Sequence, residues 1–266
     1  MVKNPAAIWL RFAMYVALSL MIGTVWLDVG DDASMITDII NVLFFIAAFM
    51  VFMSISVLPA FLEEKAIFLK ERANGAYGVA AYNIAHAIVD TPFMFLLALV
   101  CGTLTFWCIG LDDDPNVWMA FVTNLFLSFM VAESLMLLIA SVVPFLIVGI
   151  AVGAFCFGAF MIVQGFFLKV SEIGWWWRWM HYVGLHTYSF ATFMHYQFHD
   201  RVYPCGNPSA GMWACPDGAV SGDDVLELYS FDGVDPAANF AVLAAMTAGY
   251  RVAAALWMWR FHTGKK

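Results

Sequence analysis

Residues 36–77 read ITDIINVLFFIAAFMVFMSISVLPAFLEEKAIFLKERANGAY, an apolar run that passes without a break into a dense patch of charge. Hydrocarbon about 30 Å thick is crossed at about 1.5 Å per helical residue, so roughly 20 mostly apolar residues make one span. Ile36 to Leu62 exceeds that length. The segment after it, Glu63 to Tyr77, alternates acids and bases with Ile67, Phe68 and Leu69, and Gly75 stands where a helix would stop. This predicts a spanning helix feeding an amphipathic, water-facing elbow.

Working outward, five further stretches qualify as spans: Ile8 to Leu27, Ala80 to Ile109, Val117 to Val143, Pro144 onward to Leu168 (helical from Phe145), and Phe240 to Trp259. Arg11 interrupts the first and is expected to snorkel toward its near end. Composition agrees, because 63% of residues are hydrophobic and 12% charged, against about 45–50% and about 25% in soluble domains. One soluble core could not hide that much apolar surface. The predicted fold class is therefore an all-α polytopic membrane protein with six transmembrane helices, residues 1–266 forming one transmembrane domain. Between the last two spans, 169–239 forms a long loop whose aromatic first half, from Trp175-Trp176-Trp177-Arg178-Trp179, reads as an interfacial or re-entrant helix. No cleavable signal peptide is expected, since the first apolar run is too long and lacks a small-residue cleavage site.

Basic residues orient the spans. With both termini in the cytosol, that side holds Lys3, Lys65, Lys70, Arg72, Arg260, Lys265 and Lys266, and the short outer loops hold no Lys or Arg. Fifteen of the twenty acids then lie outside, so the net charge of −8 is an outward-facing acidic surface, unsuited to nucleic acid.

The elbow residues Glu64, Phe68, Glu71, Arg72, Gly75 and Tyr77 fall in order on an E-x-x-x-F-x-x-E-R-x-x-G-x-Y pattern. In this the chain resembles the ABCG (white–brown complex) transporters, whose membrane domain (ABC-2 type) carries that stretch after its second span. Val131-Ala132-Glu133-Ser134-Leu135-Met136, Ile139 to Pro144, Gly165-Phe166-Phe167-Leu168, Gly222 to Leu226 and Tyr250-Arg251-Val252 look most like the plant clade of half-transporters associated with cuticular lipids. Two departures stand out: Ile173-Gly174 replaces the family's Ile-Pro, and Phe145 replaces the clade's Asn after the fourth-span proline.

The resemblance implies an ATP-driven exporter of lipids, sterols or other hydrophobic molecules, working as a homo- or heterodimer by alternating access in the plasma membrane. It places substrate contacts on Phe49, Phe52, Gly158 and Met161, and an apolar plug between inner and outer cavities on Phe166 and Phe167. Coupling to the ATPase falls on Glu64, Phe68, Glu71, Arg72, Gly75 and Tyr77, and an extracellular disulfide on Cys205 and Cys215. Phe49 and Phe52 are i, i+3 and would share a helix face. Small residues Gly149, Gly153, Ala154 and Gly158 would let helix backbones approach. The sequence has no G-x-x-x-x-G-K-[ST] loop, so ATP and magnesium would bind a separate nucleotide-binding ABC domain and this chain would carry no cofactor and no catalytic residue. The chain is expected to be a domain of a longer protein or a subunit that borrows an ATPase.

Two acids, Asp90 and Glu133, lie in apolar runs, where an ionised carboxylate is costly. His86 stands four residues before Asp90 and can pair with it. A structural role for these acids is favoured over an alternative, a proton-coupled secondary transporter or channel. The histidines His181, His186, His195 and His199 raise a further alternative, a membrane-embedded enzyme. His195 and His199 are i, i+4, but Asp200 is the one carboxylate at ligand spacing, so no metal is assigned.

Overall fold

The computed structural model describes residues 5–30, 32–169, 172–205 and 218–261. It is a bundle of six helices long and apolar enough to cross a membrane, with a helical hairpin and a small ribbon subdomain inserted before the last. The first span, α1, is Pro5–Val25. Helical backbone then continues unbroken from Ala33 to Ala73, where a sequence boundary stood at Leu62. Within it, α2 (Ile36–Phe45) leads into a π-helical turn at Ile46–Met50, a tight 3₁₀ stretch at Met53–Val57, and the elbow helix α3 (Leu58–Ala73). The charge at Glu63 therefore marks where the helix leaves hydrocarbon and not where it ends. Gly75, at φ 74°, ends the elbow, and the Ala76 amide donates back to the Glu71 carbonyl.

The third span, α4, is Val79–Ile109, with Pro92 accommodated inside and Gly110 in the left-handed conformation closing it. The fourth, α5 (Pro115–Val142), starts on an Asp114 side-chain cap to the Asn116 amide and stops one residue short of the extended Val143 that precedes Pro144. It is the central helix, its residues Val131 to Leu137 all buried. The fifth, α6 (Leu146–Val163), ends earlier than Leu168. Gln164 is its C-cap, and Gly165 turns the chain at φ 107°, where a Cβ would stand 2.8 Å from the Phe231 ring. Phe166 and Phe167 thus sit in a bend beyond the span and not on it.

The aromatic half of the long loop divides in two. In α7 (Trp175–Val183), Trp175, Trp176, Trp177 and Trp179 are all exposed, as suits a helix lying at an interface. After a break at Gly184, α8 (Leu185–Phe198) buries most of its length against the bundle. Asn124 of α5 donates to the Ser189 carbonyl (2.8 Å), and Ser128 and Ser189 share a hydroxyl hydrogen bond (2.8 Å). The one strand pairing among the described residues follows, a two-stranded antiparallel ribbon of β1 (Val202–Pro204) with β2 (Ala219–Ser221), and then α9 (Gly222–Tyr229) and the last span, α10 (Pro236–Phe261).

Gly149 and Gly153 do permit close approach, but within one chain. A Cβ on Gly149 would meet Leu58 of α3 at 2.6 Å, and one on Gly153 would meet Met136 of α5 at 2.9 Å. Gly158 has open space at its Cβ position.

Candidate functional site

The elbow is fastened to three spans by three different side chains. Lys65 donates from Nζ to the carbonyls of Ala140 (2.8 Å) and Ser141 (2.9 Å), two of the acceptors that the C-terminus of α5 leaves unpaired. A cation there also faces the negative end of the helix dipole. Arg72 does the same for α10, donating to the Met258 carbonyl at 3.1 Å. Glu64 reaches α4 instead, its Oε2 lying 3.4 Å from Nε2 of His86. Phe68 is fully buried and stacks on Tyr82 with ring centroids 4.6 Å apart, and Met258 and Val79 complete that small core. Tyr77 donates to the Glu71 carboxylate, and holding that proton pushes the phenol up to about 12. All six elbow residues of the sequence pattern therefore belong to one unit, five through side-chain contacts and Gly75 through its backbone turn.

From His86 a chain of charges runs into the bundle. His86 Nδ1 pairs with Asp90, the i, i+4 contact expected from spacing, and Arg251 of α10 approaches the same Asp90 oxygen at 3.4 Å. Arg251 also donates from Nε to the Ser134 hydroxyl of α5 at 3.1 Å. The neighbouring Glu133 is fully buried and accepts from Arg11 of α1 at 2.9 Å. Arg11 does not snorkel. It is 6% exposed, with Tyr15 and Phe93 rings 5.7 Å away and Met94 Sδ at 3.6 Å. The reason is energetic: a buried carboxylate needs a countercharge, and the guanidinium one span away supplies it. Sequence reasoning missed Arg11, Lys65 and Arg251 as site members, although two acids in spans call for bases in spans, and Arg11 and Arg251 are the arginines available there.

The four substrate candidates do not converge. The π-helical turn interrupts the register on which the Phe49–Phe52 pairing rests. Phe49 stacks on Phe45 (4.9 Å) and is 40% exposed, while Phe52 leans on Phe157 (6.3 Å). Met161 packs half-buried on the main core. Gly158 instead lines a cavity of about 460 Å³ between α6 and α7, together with Phe155, Ile162, Ile173 and Trp177. Phe166 and Phe167 do form one aromatic cluster, stacking at 4.3 Å and edge-on at 5.2 Å against Phe44. Cys205 is disulfide-bonded, and Cys101, Cys108 and Cys156 are free thiols. Cys215, with Lys3, Lys265 and Lys266, lies outside the described residues.

A six-span α-helical bundle with a charged elbow and buried ion pairs defines an integral, multi-pass membrane domain. The family described as ABC-2 type transporter matches residues 1–198, about three-quarters of the chain, and the chain belongs to that family, as an ABCG-type membrane domain. It is similar to ABC transporter G family member 11 of Arabidopsis thaliana, 39% identical over 183 residues, covering 68% of this chain and 26% of that protein. It is also similar to ABC transporter G family member 1 of Petunia hybrida, 31% identical over 71% of this chain and 30% of that protein. ABC transporter G family member 23 of Arabidopsis thaliana is 26% identical over 91% of this chain and 38% of that protein. The chain thus spans well under half the length of these relatives.

Proposed function

We propose that this chain is the transmembrane half of an ATP-driven ABCG-type exporter of hydrophobic molecules, lipids or sterols foremost, working by alternating access. A nucleotide-binding domain, in the same longer polypeptide or on a partner, would push the elbow, and a second half-transporter would complete a dimer. The observation that carries this reading is the fastening of α3 to α4, α5 and α10 through Glu64, Lys65 and Arg72. A force on the elbow then moves three spans together. Phe49, Phe52, Gly158 and Met161, which stand apart within one chain, serve as substrate contacts between the two half-transporters of the dimer, Phe166 and Phe167 as the plug, and the termini face the cytosol of a plasma-membrane protein. Aromatic side chains at positions 49 and 52 favour a sterol or acyl chain over a charged molecule.

The exporter reading is favoured over proton coupling because Asp90 and Glu133 each have a structural partner, Arg251 and Arg11, that accounts for their place in the bundle. The test uses the full-length transporter in inside-out plasma-membrane vesicles. ATP-dependent accumulation of a fluorescent sterol or acyl lipid is expected, lowered at least about tenfold by Arg72→Ala if the elbow carries about 1.4 kcal/mol or more of coupling. Uptake driven by a pH gradient and indifferent to ATP would end the exporter reading. So would glycosylation of an acceptor site placed in the turn at Gly75–Gly78, because an ATPase in the cytosol could not then reach the elbow.

A further inference from the structure

At the C-terminal end of α8 the chain brings together three side chains that suit a metal ion, with a further histidine beside them. His195 and His199 are one helical turn apart, and their rings stack with centroids 4.6 Å apart and planes 26° from parallel. Asp200, next in sequence, lies 3.5 Å from His199 Nε2. Sequence spacing offered no second carboxylate. The fold supplies one: α9 starts beside the end of α8, and Asp223 Oδ1 stands 3.0 Å from His199 Nδ1. One ligand atom from each of His199, Asp200 and Asp223 can be chosen so that all lie within 4.8 Å of one another. His195 adds a separate observation. Its Nδ1 is buried and has no hydrogen-bond partner among the described residues, and its ring lies against that of His199.

We propose that His199, Asp200 and Asp223 form a divalent-cation site on the ribbon subdomain, of the zinc class, with water in the fourth position. Ligands about 2.0–2.2 Å from a zinc ion stand roughly 3.3 Å from each other in a tetrahedron. The donors here need to close by only about an ångström or two, and His199, Asp200 and Asp223 are exposed enough to do so. Mixed imidazole and carboxylate donors select zinc and similar transition ions over calcium and magnesium, which take oxygen alone. Cys205 is oxidised and contributes no thiolate.

The place explains what such an ion would do. His199 and Asp223 flank the base of the ribbon excursion, where the Gly222 amide donates to the Arg201 carbonyl at 2.8 Å. A Cβ on Gly222 would fall 2.0 Å from the Phe198 carbonyl oxygen, so the two chain segments already touch there. Arg201 in turn pairs with Asp112 in the loop between α4 and α5. An ion bound across this neck ties the end of α8 to the start of α9 and holds the ribbon subdomain against the bundle. The site is independent of the transport reading and stands or falls on binding alone.

The experiment uses the purified, tag-free full-length protein in detergent at pH 7.5, stripped with chelator and titrated with Zn²⁺. The expected result is one ion bound per chain beyond any bound elsewhere, with a rise in melting temperature that chelator reverses. His199→Ala or Asp223→Asn weakens that binding at least about tenfold per ligand removed and abolishes the thermal shift. Glu227→Gln, an exposed acid on α9 facing none of these groups in an ion pair, leaves both unchanged. Titration with Co²⁺ gives visible absorption bands of a four-coordinate ion in the wild type and loses them in either variant. Equal Zn²⁺ binding in the wild type and in both variants overturns the proposal, as does a wild type that binds no ion at this position. Because the variants are at exposed positions, a normal elution profile with unchanged melting in chelator separates loss of the ion from loss of the fold.

Discussion

The pairing of Arg11 with Glu133 makes an asymmetric prediction. Both side chains are removed from solvent, at 6% and 0% exposure, and their contact at 2.9 Å joins α1 to the central helix. Removing one partner of a buried pair costs about 3–5 kcal/mol, because the other charge is left without compensation. The two single changes are not equivalent, however. After Arg11→Met, the Glu133 carboxyl can take up a proton and remain as a neutral acid. After Glu133→Gln, the guanidinium cannot lose its proton at any accessible pH. Glu133→Gln should therefore sit at the upper end of the range and Arg11→Met below it, near about 2–3 kcal/mol. The double change Arg11→Met/Glu133→Met should fall within about 1–2 kcal/mol of the wild type, the residue being the lost ring contacts of Arg11 with Tyr15 and Phe93. For a chain of this size 1 kcal/mol moves the melting temperature by about 2–4 °C, so Glu133→Gln should lower it by roughly 8–20 °C in detergent. Thermal unfolding of the four proteins measures the cycle. A double variant whose loss equals the sum of the two singles would show that the pair is not coupled, and the account of why Arg11 is buried would fail with it.

Other expectations follow from single contacts. Lys65→Met removes the cation from two terminal carbonyls of α5 and should cost about 1–2 kcal/mol, read as roughly tenfold faster amide exchange in the last turn of α5 with α1 unaffected. His186 is buried between Phe157 and Phe160, and desolvation lowers its pKa to about 3. The unfolded chain binds the proton below about 6.5, so this stabilisation is complete above that pH and lost as pH falls toward 3. Its slope approaches about 1.4 kcal/mol per pH unit, and His186→Gln should flatten the acid limb of a melting-temperature profile. Gly149→Val places methyl groups where Leu58 already lies, which should cost about 1–3 kcal/mol. Adding Leu58→Ala should recover part of that loss, where two independent lesions would simply add.

The spans and the elbow were legible because hydrocarbon imposes length and composition on a sequence, and all six spans recur within a few residues of their expected bounds apart from two ends. Those two ends have physical causes. Continuous helix past Leu62 is invisible to hydropathy, which reports where a helix leaves lipid and not where its hydrogen bonds stop. The early end of α6 depends on the positive φ of Gly165 and on the Phe231 ring that presses on it from 66 residues away. The His86–Asp90 contact could be read from spacing because it is local. Arg11–Glu133, Arg251–Asp90 and His199–Asp223 could not, since each joins elements whose neighbourhood is set only by packing.

The buried charges also explain why the elbow is where it is. Lys65 and Arg72 are seven residues apart and so lie on one side of α3, each satisfying the carbonyl end of a different span. Glu64, adjacent to Lys65, points to another side and meets His86, from which ion pairs continue to Asp90 and Arg251. Arg251 closes the circuit, because its helix α10 is the same one that Arg72 caps about two turns further along at Met258. A rotation of α3 that kept the Arg72 cap but broke the Glu64 contact would leave His86 to one carboxylate in place of two. A translation that kept both would have to carry α4 and α10 with it. Under the proposed exporter reading, this geometry favours transmission by rigid displacement of α3, α4, α5 and α10 over local bending of the elbow, whereas α6 is joined to α3 and α5 by apolar packing, with Gly149 against Leu58 and Gly153 against Met136.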